Sequence, residues 1–206
     1  MQYGITGGDL MRIFGVILAG GAGLRMGGRD KAFIMLGGQS LLSQVRDRFA
    51  PQVERIVISA NGDAGRFGAG VPILADDSSQ GPLSGILAAL DWAAPLGATA
   101  VVSVAVDTPF LPSDLVPRLC LAAEGSLGGV AIAASGGEDH PTASLWPVGL
   151  RGDLRAFLVS GAKTRVMDFA RSHGAVRADF GDDGAFVNLN TPEDLAAAEA
   201  IMGARS

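Results

Sequence analysis

Between Val16 and Lys31 the chain reads VILAGGAGLRMGGRDK, an apolar run breaking into five glycines with three cations among them. The apolar part, Ile13 to Ala19, has the composition of a buried β-strand. Gly20, Gly21, Gly23, Gly27 and Gly28 let the backbone turn through positive φ and approach a ligand closely, so its N–H groups can face an anion. Arg25, Arg29 and Lys31 suit a polyphosphate. A plain glycine turn needs no such cations. Lys31 is the loop's lysine, a compact ammonium suited to phosphate oxygens as charge builds on them. Arg25 can bind a further oxygen or brace the loop, and Arg29 reads as a solvated side chain. Neither familiar phosphate loop fits. The dinucleotide fingerprint would need a glycine where Met26 stands. The P-loop would need Lys-Ser or Lys-Thr where Arg29-Asp30 stands.

Carboxylates and amides close other apolar runs. Asp107 follows Val101 to Val106 and precedes Thr108-Pro109. A carboxylate at the end of a buried strand is costly unless it is paired or binds a cation. Mg²⁺ suits it, since that ion takes one or two carboxylates and fills its shell with phosphate oxygens and water. A helix-capping or turn aspartate is the plainer alternative. Asp76-Asp77 ends another run, where a solvated acidic turn competes equally. Asn61 ends a third, with a donor and an acceptor to offer a ribose or base edge, though the residues alone favour a simple turn asparagine before Gly62.

Strands must position these residues. Val53 to Ser59, Val71 to Ala75, Thr99 to Val106 and Val130 to Ala134 read as further strands. Helices are expected from Ser40, acting as a cap, to about Phe49; from Gly81-Pro82 to about Ala93; and from Pro112 to about Glu124. Such alternation predicts a mostly parallel sheet, whose ligands bind beyond the carboxyl ends of its strands. The glycine loop, Asn61, Asp76 and Asp107 all fall at such ends. The last third is less regular: Thr142 to Pro147 reads as a strand, open to an antiparallel placement. Arg151 to Leu158 and Thr164 to Ser172 read as helical, Ala175 to Ala178 and Ala185 to Leu189 as extended. Thr191-Pro192-Glu193 starts a final helix.

The 206 residues, 48% hydrophobic with 30 glycines, suit one α/β domain. Residues 1–12 read as a poorly ordered extension, with Met11 a possible start, and 13–206 as the domain. A net charge of −5 argues against a general nucleic-acid binder. No apolar run is long enough to span a membrane. One cysteine, Cys120, excludes an intrachain disulfide and a cysteine zinc cluster, and its apolar neighbours make it core filler. The expected setting is the cytoplasm.

From Leu18 to Lys31 the loop resembles the L-A-G-G-x-G-x-R-M-G loop of nucleotidyltransferases that activate small molecules, which closes on a lysine. Its Gly-Gly-Arg-Asp-Lys ending is most similar to the molybdenum cofactor guanylyltransferase family. Further along, Asp76 or Asp77 through Gly81-Pro82-Leu83-Ser84-Gly85 resembles the family's D-x(n)-G-P-L-x-G segment, with Asp76 the choice because it follows its strand directly. Asp107-Thr108-Pro109 resembles its metal-binding motif. His140-Pro141-Thr142 with Leu145, Arg165-Val166-Met167, and Phe186-x-Asn188-x-Asn190-Thr191-Pro192 resemble its later segments. Together these cover nearly the whole chain.

The resemblance implies a single-domain three-layer α/β sandwich with a Rossmann-like, nucleotide-diphospho-sugar-transferase type of sheet and helices on both faces. It implies Mg²⁺-dependent transfer of GMP from GTP to molybdenum-molybdopterin, releasing pyrophosphate. Lys31, Asp107 and Arg25 would be catalytic, with Mg²⁺ on Asp107. Leu18, Ala19, Gly20, Gly21, Gly23, Lys31, Asn61, Asp76 and Asp107 would bind the nucleotide. His140, Arg165, Asn188 and Asn190 would receive the pterin, dividing the chain into a GTP half (about 13–110) and a pterin half (about 130–206). Transient contacts with molybdenum-insertion proteins or apo-molybdoenzymes would follow, and no nucleic acid or membrane. A sister enzyme using CTP or a sugar phosphate is the nearest alternative; a non-catalytic nucleotide or cofactor carrier is the other.

Overall fold

The apolar run entering the glycine loop is strand β1 (Ile13–Leu18), buried along nearly its whole length. The computed structural model describes residues 11–20, 30–68, 70–75, 81–160, 165–181 and 184–203. Arg25, Gly21, Gly23, Asp76 and Asp77 therefore lie outside the described residues. A short hairpin follows, β2 (Met35–Leu36) and β3 (Gln39–Ser40), turned by Gly37 and Gly38 at φ 57° and 86°, values that two-residue hairpin turns ask of glycine. Ser40 then caps α1 (Leu41–Phe49), its hydroxyl accepting the Ser43 N–H at 3.2 Å.

β4 (Arg55–Ala60) and β5 (Ile73–Ala75) precede α2 (Pro82–Ala93), which opens on proline as expected. β6 (Ala100–Ala105) leads to α3 (Leu115–Ala123). That helix begins three residues later than Pro112 suggested, because residues 112–115 form a separate turn, with Leu115 N–H donating to the Pro112 carbonyl. Then come β7 (Ala131–Ser135), β8 (Glu138–Pro147), α4 (Arg151–Val159), α5 (Val166–Ser172), β9 (Val176–Asp179) and α6 (Pro192–Gly203).

Seven strands form one sheet in the order β5-β4-β1-β6-β8-β7-β9. All neighbours are parallel except β8, which runs antiparallel to both β6 and β7. Alternation along each strand feeds two cores. Ile13, Ile17, Val102 and Val104 face one side, against Val45 and Phe49 of α1 and Leu115 and Leu119 of α3. Phe14, Val16, Val101 and Trp146 face the other, against α2, α4 and α5. This is the expected three-layer sandwich. Gly15 is what lets α1 sit so close: a Cβ there would lie 2.6 Å from the Phe49 ring. A third, smaller cluster joins Leu36 and Leu41 near the hairpin to Leu189 and to Ala198 of α6. Ala185 to Leu189, expected to be extended, forms no strand of the sheet. Among the described residues no helix is long and apolar enough to cross a membrane.

Candidate active site

Because β1, β4 and β6 are parallel and in register, with Leu18 opposite both Ser59 and Ala105, their carboxyl ends finish together. A cavity of about 450 Å³ opens there. Leu18 and Gly20 line it at the end of β1, Ser59 and Asn61 at the end of β4, and Ala105, Val106 and Asp107 at the end of β6. Ala19 is turned into the core, its N–H donating to the Ser59 carbonyl at 2.8 Å. Gly81 and Pro82 bring the N-terminus of α2 to the same wall. Its N-cap residue, Gly81, has no side chain to bond the first-turn N–H groups, and the positive dipole of that helix end favours an anion in the cavity. Gly85 sets how close the helix comes, since a Cβ there would stand 2.6 Å from Ser59 Oγ and 2.8 Å from Leu18 Cδ2.

Lys31 begins a short 3₁₀ turn. Asp30 caps this turn, one oxygen accepting the Ala32 N–H at 3.0 Å and the other Arg66 Nε at 2.8 Å. Anchored so, Lys31 Nζ donates to Asp107 Oδ2 at 2.7 Å and to Asn190 Oδ1 at 2.5 Å. The Lys31 and Asp107 side chains are only 15% and 18% exposed, so their pairing is poorly screened. Asn190 reaches Lys31 because the segment before α6 is tied across the end of β6, with Leu189 N–H on the Asp107 carbonyl at 2.8 Å. This bond explains why residues 185–189 join no ladder. Asn188 lies on the same cavity, its Oδ1 accepting the buried Thr108 hydroxyl at 2.8 Å. Asp194 accepts the backbone N–H groups of Asn190 and Thr191, both at 2.9 Å, and its own N–H donates to Thr191 Oγ1, a reciprocal cap for α6.

Thr142 enters the cavity through an irregularity in β8. Register with β7 jumps from Ile132–Ser144 to Ala133–His140, so residues 141–143 bulge out. Pro141 suits a bulge because it has no N–H to lose. Ser103 Oγ donates to the Thr142 carbonyl at 2.8 Å and accepts Trp146 Nε1–H at 3.1 Å, holding the bulge from the core. The bulge also explains why β8 starts four residues before its sequence suggested.

His140 behaves as a packed residue. Its ring stacks on Phe186 at 4.6 Å, Nε2 meets Ser135 Oγ at 2.7 Å, and burial pushes its pKa down against the opposing pull of Glu138 and Asp139. It lines a recess of about 60 Å³ next to the main cavity, together with Thr142 and Asn188. Arg165 is exposed at the head of α5 and does not line the cavity. The structure thus gathers Leu18, Gly20, Lys31, Asn61, Asp107, Asn188 and Asn190 at one cavity, with His140 beside it and Arg165 apart. Ser59 and Thr108 were not anticipated as site residues. Thr108 stood in the Asp-Thr-Pro motif, whereas nothing local marked Ser59.

Among the described residues lining the cavity, Asp107 is the one carboxylate and Lys31 the one ammonium. No group of three metal-ligating side chains occurs among the described residues. One carboxylate fits a Mg²⁺ ion that arrives on phosphate oxygens, not one caged by protein.

An anion-favouring helix end and a lysine–carboxylate pair on the carboxyl edge of such a sheet define a nucleotidyltransferase of the α/β class. Solved structures share the fold. Molybdopterin-guanine dinucleotide biosynthesis protein A from Archaeoglobus fulgidus superposes with a TM-score of 0.73 at 21% identity, over 93% of this chain and 99% of its own. A Mycobacterium tuberculosis protein solved as a manganese complex gives 0.71 at 17% identity, over 93% and 100%. Residues 15–176 match the model of the MobA-like NTP transferase domain, and the chain belongs to that family. The molybdenum cofactor guanylyltransferase of Cereibacter sphaeroides is 57% identical over 193 residues, 93% of this chain and 98% of its own.

Proposed function

We propose that this chain transfers GMP from GTP to molybdenum-bearing molybdopterin in the cytoplasm, giving molybdopterin guanine dinucleotide and pyrophosphate. The observation that carries the reading is 57% identity, across nearly the full length of both chains, to a guanylyltransferase. In the reaction, the terminal phosphate oxygen of the pterin attacks the α-phosphorus of GTP, and the bond to the pyrophosphate oxygen breaks. That attacking oxygen already bears negative charge and needs no strong base, in keeping with a cavity that no histidine lines among the described residues. Catalysis then rests on in-line positioning and charge neutralisation. Lys31 and the N-terminus of α2 face the charge that grows on pyrophosphate. Asp107 would hold Mg²⁺, which supplies charge neutralisation to the phosphates. Arg25, Gly21, Gly23 and Asp76 would complete the nucleotide side with Leu18, Gly20 and Asn61.

Thr142 and Asn188 line the part of the cavity that we assign to the pterin, and Arg165, outside that lining, would meet the pterin beyond the cavity rim. Asn190 serves both sides through Lys31. Pyrophosphate release tests the whole reading. With molybdopterin present, GTP should support release and ATP and CTP should not. Release with CTP in place of GTP would move the chain to cytidylyl transfer, and binding without release would make it a carrier.

A further inference from the structure

The capping carboxylate of α6 sits one step behind the site. Asp194 accepts the Asn190 N–H at 2.9 Å, and Asn190 Oδ1 accepts Lys31 Nζ at 2.5 Å. We propose that Asp194 is a positioning residue: by fixing the Asn190 backbone, it holds the Lys31 ammonium where the leaving pyrophosphate needs it. The inference rests on the reading of Lys31 as the phosphate contact, and not on which nucleotide is used.

Three observations support it. Lys31 has two acceptors, one from β6 and one from this segment, and two acceptors fix an ammonium's direction where a single one leaves it free to swing. Asp194 is held below the usual carboxylate range, first by the Asn190 N–H and then by the Thr191 N–H, so it stays an anion and a strong acceptor at neutral pH. The charge of Lys31 also acts on Asp194. The cap therefore feels the ammonium directly as well as through Asn190.

A purely structural cap would behave differently, and Thr191 provides the comparison. Its hydroxyl accepts the Asp194 N–H at 3.1 Å and belongs to the same helix cap, whereas the Asn190 N–H goes to the Asp194 carboxylate. Affinity for pyrophosphate with Mg²⁺, measured by calorimetry, is the primary reading, because pyrophosphate is common to every nucleoside triphosphate. Asp194→Ala should weaken it by about tenfold, the range of coupled neighbours. Asp194→Asn, which keeps one acceptor oxygen, should recover most of the loss. Thr191→Val should lower the melting temperature comparably and leave the affinity within about twofold. In a Lys31→Ala background, Asp194→Ala should add nothing further.

Unchanged affinity in Asp194→Ala would overturn the proposal. So would equal losses in Thr191→Val, or losses that add fully to those of Lys31→Ala. If Asp194→Ala does not fold, Asp194→Ser, whose hydroxyl is one atom shorter than the carboxylate that accepts the Asn190 N–H, takes its place in the comparison with Thr191→Val and should show the loss. Absence of pyrophosphate binding by the unaltered chain would overturn the proposal together with the reading of Lys31. Failure of GTP to support turnover, with pyrophosphate still bound, would overturn the guanylyl assignment only.

Discussion

The Thr108 hydroxyl donates to the Asn188 side-chain oxygen over 2.8 Å, and so decides which end of that amide faces the cavity. With its oxygen engaged, Asn188 presents its NH₂ group, a donor suited to a phosphate or a pterin carbonyl. Thr108→Val should free the amide to rotate. The KM for the pterin should rise about tenfold, with the KM for GTP nearly unchanged, and the fold should lose about 1 kcal/mol. Thr108→Ser should restore both. Steady-state kinetics in each substrate make the comparison, and equal rises in the two KM values would show that Asn188 does not discriminate between them.

Asp107 carries two duties that substitution can separate. Asp107→Ala strands a Lys31 ammonium that is 15% exposed, whereas Asp107→Asn leaves it an amide oxygen. Both changes should lower turnover by about a hundredfold or more, since each removes a charged contact. Asp107→Ala should also cost stability, on the order of 1–3 kcal/mol beyond Asp107→Asn. Thermal melts beside turnover measurements test this; a fully stable Asp107→Ala chain would mean that the ion pair contributes little to the fold.

Two glycines of helices make a matched pair. Gly85→Ala puts a methyl 2.6 Å from Ser59 Oγ and 2.8 Å from Leu18 Cδ2, which should push α2 off the cavity wall and cost about 1–3 kcal/mol. Gly152→Ala, at an exposed position of α4 with nothing within 4 Å of the new methyl, should stabilise by about 0.5 kcal/mol. Nucleotide affinity should fall in the first and hold in the second. A Gly85→Ala chain with unaltered melting point and affinity would show that α2 can shift without consequence.

Acid should weaken the fold partly through His140. Burial lowers its folded pKa, so the folded state prefers the neutral ring. The unfolded chain therefore binds the extra proton first. The His140 contribution is complete above the unfolded value of about 6.5 and is lost as pH falls through the lower folded value. His140→Phe keeps a ring against Phe186 and removes the titration. Its melting temperature should fall less steeply than that of the unaltered chain between about pH 7.5 and 5.5, a window that brackets the unfolded value. Parallel slopes would place the acid sensitivity elsewhere.

The sheet and its helices were legible because β1 and β6 are nearly continuous apolar runs and because Ser40 and Pro82 announce helix starts locally. Asp107 was legible as a charge at the end of such a run. The bulge at residues 141–143 was not, because Pro141 reads as a strand end unless the neighbouring strand supplies the missing order, here through Ser103, itself held by Trp146. Ala185 to Leu189 misled for a similar reason: its last residue gives its N–H to the Asp107 carbonyl, outside any ladder. The Lys31–Asp107 bond joins residues 76 positions apart, and no local pattern encodes it.

Lys31 meets Asn190 across 159 positions of sequence. During synthesis the ammonium must therefore wait until Asn190 has left the ribosome. Until then β1 and β6 can fold together, but Lys31 has only one of its two acceptors. A chain ended before residue 190 would possess β1 and β6 and lack the second acceptor of Lys31. Emergence of residue 190 is thus itself a gate on how the Lys31 ammonium is held.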